Sequence, residues 1–229
     1  MERLNFLAID STSSSLKIAI QIDDEVSFFE QTEKSMNHLE RLIPLIDKGI
    51  KHIGKNKRAL NCVCVCEGPG SFTGIRVGIA TAQGIAFAGK IPCFGFSVFD
   101  VYNYLYRDKN ESIIVPIIDA KKHRFYTTFL HSNDFSHYDL SAEDIIEKIK
   151  GLNKPPIFVG SDYFMIQDKL IDCGVKPTVE YPQGFSAKEM LEAVTFLIRQ
   201  NKITTPEPVY LRKSEAEIAL EEKLLKIFE

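Results

Sequence analysis

Short apolar runs separated by polar turns open the chain. Leu4 to Ile9 and Leu16 to Ile22 each predict a β-strand, and the polar residues 10–15 between them predict a loop. Val26 to Gln31 predicts a third strand after a second polar turn. The pattern of the first 31 residues therefore predicts three consecutive strands joined by turns.

The spacing of apolar residues becomes helical from about Asn37. One apolar stripe contains Leu39, Leu42, Ile43, Ile46, Ile50 and Ile53. Pro44 lacks a backbone donor, so we expect a kink or a late start of this helix there. Further along, Cys62 to Cys66 predicts a strand, Gly74 to Gly89 a helix, and Ile91 to Phe96 another strand.

The opening layout recurs in the second half of the chain. FLAIDSTSSSLKIAI and VPIIDAKKHRFYTTF each hold an apolar strand that ends in Asp, at Asp10 and Asp119, then a polar turn and a second strand. Helix-like and strand-like segments follow at residues 142–149, 156–159, 163–171 and 187–198. A duplication of this kind predicts two similar α/β halves. Coincidence is the alternative, because hairpins after Asp are common.

A polar segment, RDKNES at residues 107–112, marks the boundary between the halves. We therefore divide the chain into an N-terminal subdomain, residues 1–106, and a second subdomain, residues 107–213. A charged amphipathic helix is predicted from Ser214 to Phe228. Residues 214–229 are able to pack back on the first subdomain.

Composition and charge limit the classes of function. The chain has 229 residues, of which 45% are hydrophobic and 26% charged, as in ordinary globular proteins. A net charge of −3 argues against a protein that grips nucleic acid by itself. The N-terminal apolar stretch is too short for a signal peptide or a membrane span.

Five cysteines are present, without a C-x-x-C pair. Cys62, Cys64 and Cys66 alternate along one predicted strand, so we expect all three on one buried face. Such thiols suit the reducing cytosol, and a cytoplasmic protein is expected.

The segment CEGPGSFTGIRVGIATAQGIAFAG carries the most specific pattern. Gly68, Pro69 and Gly70 predict a tight turn, and Ser71 or Thr73 can cap the following helix. The segment has no Walker lysine, and its third glycine comes one residue late for a dinucleotide fingerprint. Two interpretations stay open, a turn that needs glycine for geometry and an anion site at the helix start.

The helix that follows is apolar on nearly every side. Gly74 and Gly78 lie one turn apart and would let another helix come close. Either the chain's own sheet and helix cover all its faces, or a second subunit covers one of them. We expect the second subunit, because the chain has few long helices.

These blocks, followed by PVYLRK, resemble the bacterial TsaB (YeaZ) family in sequence and in order along most of the chain. The resemblance implies an α/β fold of the actin-like, Hsp70-like (ASKHA) type, with two similar subdomains and mixed sheets. It also implies a role in forming N6-threonylcarbamoyladenosine at position 37 of tRNAs that read ANN codons.

In that family the chain is a non-catalytic partner of a metal-containing transferase paralogue, TsaD. An ATPase, TsaE, joins the assembly, and the chain alone forms a homodimer. The resemblance implies that tRNA is held mainly through the partner, without a membrane. It implies no cofactor on the chain alone, and leaves open that ATP binds at the interface of the complex.

Site residues follow from the same resemblance and, for the partner interface, from the apolar stripe and small residues of the two predicted helices at residues 37–53 and 74–89. The stretch FGFSVFDVYNY lacks the H-x-x-x-H metal pair of the transferase, so neither a catalytic residue nor a metal ligand is expected. Weak candidates for nucleotide binding are Asp10, Ser11, Asp119, Gly68, Gly70 and Ser71. The expected partner interface consists of His38, Leu42, Ile46, Ile75, Gly78, Ile79 and Ala82.

Three alternatives remain at this point. Asp10, Asp119 and the turn at Gly160 would suit an independent actin-like ATPase or small-molecule kinase. A metalloprotease would need a metal set that the sequence does not show. The cluster from Lys121 to Arg124 is either a solvated hairpin tip or a contact for tRNA or for an acidic partner.

Overall fold

We analysed a computed structural model of the chain. The structure describes residues 4–23, 25–32, 38–131, 136–176, 178–180, 184–213 and 217, with backbone alone at residues 31, 32, 38, 39 and 57. No helix in these ranges is both long and apolar enough to cross a lipid bilayer.

The first half forms a mixed five-stranded sheet. Its strands are β1 (Phe6–Asp10), β2 (Ser15–Ile22), β3 (Glu25–Thr32), β4 (Cys62–Cys66) and β5 (Cys93–Phe96), in the order β3-β2-β1-β4-β5. The three N-terminal strands pair antiparallel, whereas β4 and β5 add in parallel. All five strands confirm the sequence predictions to within two residues.

Two helices cover one face of this sheet, α1 (His38–Ile53) and α2 (Phe72–Gly89). Helix α1 begins six residues before Pro44, so the late start expected at this proline is wrong. Leu42 and Ile46 are both buried in the core, and this packing holds the helix to the sheet on either side of the proline.

The second half repeats this plan. Its strands are β6 (Ile113–Pro116), β7 (Ile118–Asp119), β8 (Arg124–Thr127), β9 (Tyr138–Ser141), β10 (Pro156–Val159) and β11 (Thr178–Glu180), in the orders β11-β10-β6 and β7-β8-β9. Ile117 connects β6 to β7 and donates to Val159 O at 2.9 Å. Taken as one interrupted strand, β6 and β7 give the order β9-β8-β7/β6-β10-β11, which confirms the duplication.

Helices α4 (Ala142–Lys150) and α5 (Gln167–Asp172), with a short 3-10 helix at Tyr163–Met165, follow the strands of the second half. A central layer of α3 (Val98–Leu105) and α6 (Ala187–Arg199) packs against the first sheet and against β6 and β10. Cys62, Cys64 and Cys66 are buried towards this layer, which confirms their common face. The two halves therefore share one core, and the fold is actin-like.

The C-terminal segment returns to the first half. Gly95 N donates to Thr204 O at 2.8 Å, and Val209 N donates to Glu67 O at 2.8 Å. These bonds lay residues 204–210 along the end of the first sheet. The helix predicted at residues 214–228 lies outside the described residues, apart from residue 217.

Candidate functional site

A cleft of about 570 Å³ separates the two halves at the ends of their strands. Its walls come from the β1–β2 loop, the start of α2, the β7–β8 turn, the loop after β10 and the C-terminal segment. Of the candidate nucleotide-binding residues, it brings together Asp10, Gly70, Ser71 and Asp119. Ser11 and Gly68 are buried behind the wall.

Asp10, at the end of β1, is buried and fully engaged within the chain. Its Oδ1 accepts from the Thr12 backbone N–H at 2.9 Å and from the Thr12 hydroxyl at 2.7 Å. Its Oδ2 lies 3.3 Å from Lys17 Nζ. Lys17 also lies over the ring of Phe185, 4.9 Å from the centroid. A lysine ammonium thus compensates this carboxylate inside the protein.

Sequence reasoning missed Lys17, although a signal for it exists. Asp10 and Lys17 are cross-strand neighbours in the β1–β2 hairpin. Side chains directly opposite each other in antiparallel strands lie within contact distance. Pairing the two predicted strands residue by residue would therefore have identified Lys17 as the partner of Asp10.

The glycines of the central motif pack α2 against the β1–β2 loop. A Cβ at Gly70 would lie 2.3 Å from Thr12 O, and one at Gly74 would lie 2.0 Å from Ser11 O. A Cβ at Gly78 would lie 2.4 Å from Ser11 Oγ, the hydroxyl that donates to Gly74 O. The close approach that these glycines permit is therefore to a loop of the same chain, and the expectation of a second helix at Gly74 and Gly78 is wrong.

Ser71 caps α2, as the sequence predicted. Gly74 N donates to Ser71 Oγ at 3.2 Å, and Ser71 N donates to Thr12 O at 2.7 Å. The cap and the adjoining loop are thus tied together at the cleft wall. The turn geometry of the motif is thus observed, and the anion site at the helix start stays a prediction.

Asp119 ends β7 on the opposite wall. Its backbone N–H donates to Asp162 Oδ2 at 2.7 Å, and its Oδ1 accepts from Lys121 N at 2.7 Å. Its Oδ2 lies 2.5 Å from Lys121 Nζ. The second aspartate of the duplicated hairpins is thus also paired with a lysine of its own loop.

The turn after Asp119 holds three consecutive non-glycine residues in the left-handed region. The φ angles of Lys121, Lys122 and His123 are 65°, 55° and 59°. Such backbone costs on the order of 1 kcal/mol per residue and persists only where its surroundings impose it. Here Ala120 N donates to Arg124 O at 2.9 Å and Arg124 N donates to Lys121 O at 3.1 Å.

The basic side chains of the cluster from Lys121 to Arg124 point to two different places. Lys121 and Lys122 line the cleft. Arg124 instead turns to β9, where its Nε donates to Asp139 Oδ1 at 2.8 Å and its Nη2 bonds to the Asp139 carbonyl. Only the first two residues of the cluster therefore contribute charge to the cleft.

An aromatic and basic group stands at the cleft entrance. The rings of Phe72 and Tyr210 are stacked with centroids 4.6 Å apart. Arg76 Nε donates to the Tyr210 hydroxyl at 3.0 Å, and its guanidinium lies over both rings. Arg212 continues the segment and donates from Nη1 to Ala120 O at 3.4 Å. The C-terminal segment thus connects α2 of the first half with the β7–β8 turn of the second.

Tyr102, from α3, lies in the floor of the cleft. Burial raises the pKa of its phenol, and the nearby carboxylates of Asp10 and Asp162 raise it further. The phenol therefore stays protonated at neutral pH and is able to act only as a neutral hydrogen-bonding group.

Two features of the cleft bear on the ATPase alternative. Gly70 and Gly74 pack directly against the β1–β2 loop from the side of α2. The carboxylate of Asp10 is hydrogen-bonded to Thr12 and ion-paired with Lys17. Among the described residues, no group of three or more His, Cys, Asp or Glu is placed to hold a metal ion.

The expected interface residues lie inside the chain. All those with described side chains are buried in the core beneath the first sheet or within α2, namely Leu42, Ile46, Ile75, Gly78, Ile79 and Ala82. We therefore do not assign the partner contact to these side chains, because the chain's own sheet and the β1–β2 loop cover that side. The side chain of His38 lies outside the described residues.

A different side of the same helices is exposed. On α2, Ala80, Gly84, Phe87 and Ala88 face outwards, and Phe87 is 88% exposed. A Cβ at Gly84 would meet nothing within 4 Å. On α1, Ile43 is 53% exposed. We call these five residues the outer face of α1 and α2. Sequence periodicity could not separate it from the buried side, because α2 is apolar on both.

Comparison with known proteins agrees with this architecture. TsaB of Escherichia coli strain K12, a tRNA threonylcarbamoyladenosine biosynthesis protein, is 26% identical over 225 residues, which cover 93% of this chain and 96% of the relative. The protein of the same description from Bacillus subtilis strain 168 is 25% identical over 224 residues, with the same coverage.

A solved structure and a family profile complete the comparison. YeaZ from Pseudomonas aeruginosa superposes with a TM-score of 0.70 at 20% identity, covering 91% of this chain and all of that one. The profile of the family described as TsaD, tRNA N6-adenosine threonylcarbamoyltransferase, matches residues 31–160, more than half of the chain. The chain therefore belongs to this family, and its relatives along nearly the whole length are TsaB (YeaZ) proteins.

Proposed function

We propose that the chain is the non-catalytic partner subunit for N6-threonylcarbamoylation of adenosine 37 in tRNAs that read ANN codons. The observation that carries this proposal is the alignment along nearly the full chain with TsaB proteins of threonylcarbamoyladenosine biosynthesis. Its partner is a TsaD-type transferase, a paralogue of the same family. A TsaE-type ATPase joins the assembly.

The chemistry of the cleft supports a non-catalytic role. Both aspartates of the duplicated hairpins are paired with lysines of the chain, Asp10 with Lys17 and Asp119 with Lys121. The carboxylate of Asp10 in particular is hard to free for a metal–nucleotide complex, because its pair with Lys17 is buried and breaking it would leave an uncompensated charge. ATP is therefore placed, in this proposal, at the interface of the complex and not on the chain alone.

The outer face of α1 and α2 is the surface that we assign to the transferase. Phe87 projects from small residues, so a partner helix is able to approach closely around one large apolar anchor. A face of this kind is costly to leave in water. In the absence of the transferase, a second copy of the chain covers it, which gives the homodimer.

Co-elution with the transferase of the same organism tests this assignment. Phe87→Asp places a charge on the outer face, and we expect it to abolish co-elution while the circular dichroism spectrum is unchanged. The matched control is Phe164→Asp, because Phe164 is also exposed, at 69%, but lies on the second half. Unchanged co-elution of Phe87→Asp, or equal loss in the control, would contradict the assignment.

A further inference from the structure

Five basic side chains converge at the mouth of the cleft. They are Arg76 of α2, Lys121 and Lys122 of the β7–β8 turn, and Arg212 and Lys213 of the C-terminal segment, and we call them the basic rim. We propose that the basic rim binds the phosphate backbone of the substrate tRNA directly. This inference rests on the proposed function, which supplies the tRNA.

The charge of the cleft differs in sign from that of the chain. Among the residues that the structure describes, six basic and four acidic side chains line it, an excess of two positive charges, whereas the net charge of the chain is −3. Lys17 and Asp10 compensate each other in the interior. Within this described lining, the five residues of the basic rim stand beside the three remaining carboxylates, those of Glu30, Asp119 and Asp162. A local positive field of this kind attracts a polyanion and releases its counterions on binding.

The fold holds parts of the basic rim in place. Asp119 Oδ1 accepts from the backbone of Lys121, which fixes the turn that carries both lysines. Arg212 donates to Ala120 O, and so joins the C-terminal segment to the same turn. The side chain of Lys121 is 77% exposed, and an exposed pair such as the one with Asp119 is weak enough for a phosphate to replace it.

The surroundings of Arg76 favour RNA over an acidic protein surface. Its guanidinium stands over the stacked rings of Phe72 and Tyr210, 5.7 and 5.6 Å from their centroids. Aromatic rings interleaved with basic groups are typical of surfaces that bind single-stranded or looped RNA, where rings and guanidinium planes contact bases. An acidic patch on a protein partner would pair with the basic side chains but would leave the two aromatic rings without a role in binding.

The test measures the affinity of the assembled chain–transferase complex for its tRNA at several salt concentrations. The variant carries Lys121→Gln, Lys122→Gln and Lys213→Gln, which remove three charges from the basic rim. The control carries Lys150→Gln, Lys154→Gln and Lys202→Gln, exposed lysines that do not line the cleft. Circular dichroism and co-elution establish that both triple variants fold and assemble.

We expect the rim variant to bind tRNA about 10- to 100-fold more weakly at physiological salt, with the slope of log affinity against log salt reduced by about two to three. The control keeps the affinity and slope of the unmodified complex to within about twofold. Unchanged affinity and slope in the rim variant would overturn the inference. So would loss of co-elution with the transferase, because the basic rim would then bind the protein partner.

A third outcome separates the inference from the proposed function. If the chain is required for threonylcarbamoyl transfer but the rim variant binds tRNA normally, only the inference fails. If transfer proceeds without the chain, the proposed function fails. An Arg212→Gln variant gives an independent check, because it removes one charge from a different segment and is expected to weaken tRNA binding several-fold.

Discussion

Lys17 Nζ lies 3.3 Å from Asp10 Oδ2, and the two side chains are only 6% and 2% exposed. A buried pair of this kind is costly to break, because removal of one partner leaves an uncompensated charge. Asp10 is also the carboxylate on which the ATPase alternative depends. A structural role of this pair predicts that substitution lowers the free energy of unfolding, whereas a catalytic role of Asp10 predicts that substitution abolishes ATP hydrolysis.

We expect Asp10→Asn and Lys17→Met each to lower the free energy of unfolding by about 3–5 kcal/mol. The double variant loses much less than the sum, because no unpaired charge remains. Urea denaturation measures all three. The control is ATP hydrolysis by the pure chain: turnover that disappears in Asp10→Asn while stability is unchanged would support the ATPase alternative.

Gly78 and Gly84 lie on opposite sides of α2 and provide a matched pair of substitutions. Gly78→Ala forces a Cβ towards Ser11 Oγ, and we expect a loss of about 1–3 kcal/mol in the free energy of unfolding. Gly84→Ala meets open space, and we expect a gain of about 0.5–1 kcal/mol because alanine favours the helix. Thermal melting of both variants measures the difference, and equal effects would contradict the packing described for α2.

Glu67 makes stability depend on pH. Its side chain accepts from Glu207 N at 3.0 Å, but burial raises the pKa of its carboxyl above the ordinary value. The folded chain therefore binds this proton more tightly than the unfolded chain, and the contribution of Glu67 to stability falls as pH rises through the folded pKa. We expect Glu67→Gln to gain stability relative to the unmodified chain as pH rises above the ordinary pKa of a glutamate carboxyl.

Urea midpoints at a series of pH values measure that difference. A constant difference across the range would show that Glu67 does not titrate differently on folding. Glu143 provides the control, because it is exposed on α4 and its pKa is lowered by its hydrogen bond with Lys169, the opposite direction. The Glu143→Gln variant is therefore expected to be less stable than the unmodified chain at neutral pH, and this difference in stability is expected to shrink as pH falls.

Thiol reactivity reports on the buried cysteine face. Burial raises the pKa of Cys66, and burial also raises that of Cys93, to about 11. Cys173 is exposed. We expect iodoacetamide at neutral pH to modify Cys173 first, Cys93 slowly, and Cys62, Cys64 and Cys66 only on unfolding. Peptide mass spectrometry after timed labelling measures this order, and early modification of Cys64 would contradict it.

Periodicity predicted most of the fold because the duplicated hairpins carry strong local signals. The alternation of Cys62, Cys64 and Cys66 fixed the face of β4, and Asp10 and Asp119 marked equivalent strand ends. The break of the second sheet at Pro116 was not predicted, because the proline lies within an apolar run. The second-half helix predicted over 163–171 is divided into a 3-10 turn and α5.

The site was predicted less completely, because it depends on contacts between distant segments. Tyr210 stacks on Phe72 and Arg212 bonds to Ala120 only after the chain has passed through both halves, and nothing in PVYLRK alone indicates either contact. The apolar character of α2 indicated where a partner face could lie but not which side was free. The packing of α2 against the β1–β2 loop determines which side of the helix is buried and therefore which side is free.

Reconstituted threonylcarbamoyl transfer tests the central claim most directly. The cognate TsaD-type transferase, the adenylate synthase and the TsaE-type ATPase are supplied with a tRNA that carries adenosine 37, with and without this chain. We predict that modified tRNA forms only when the chain is present, that Phe87→Asp prevents it, and that the chain alone is inert. Product formed at an equal rate without the chain would contradict the account.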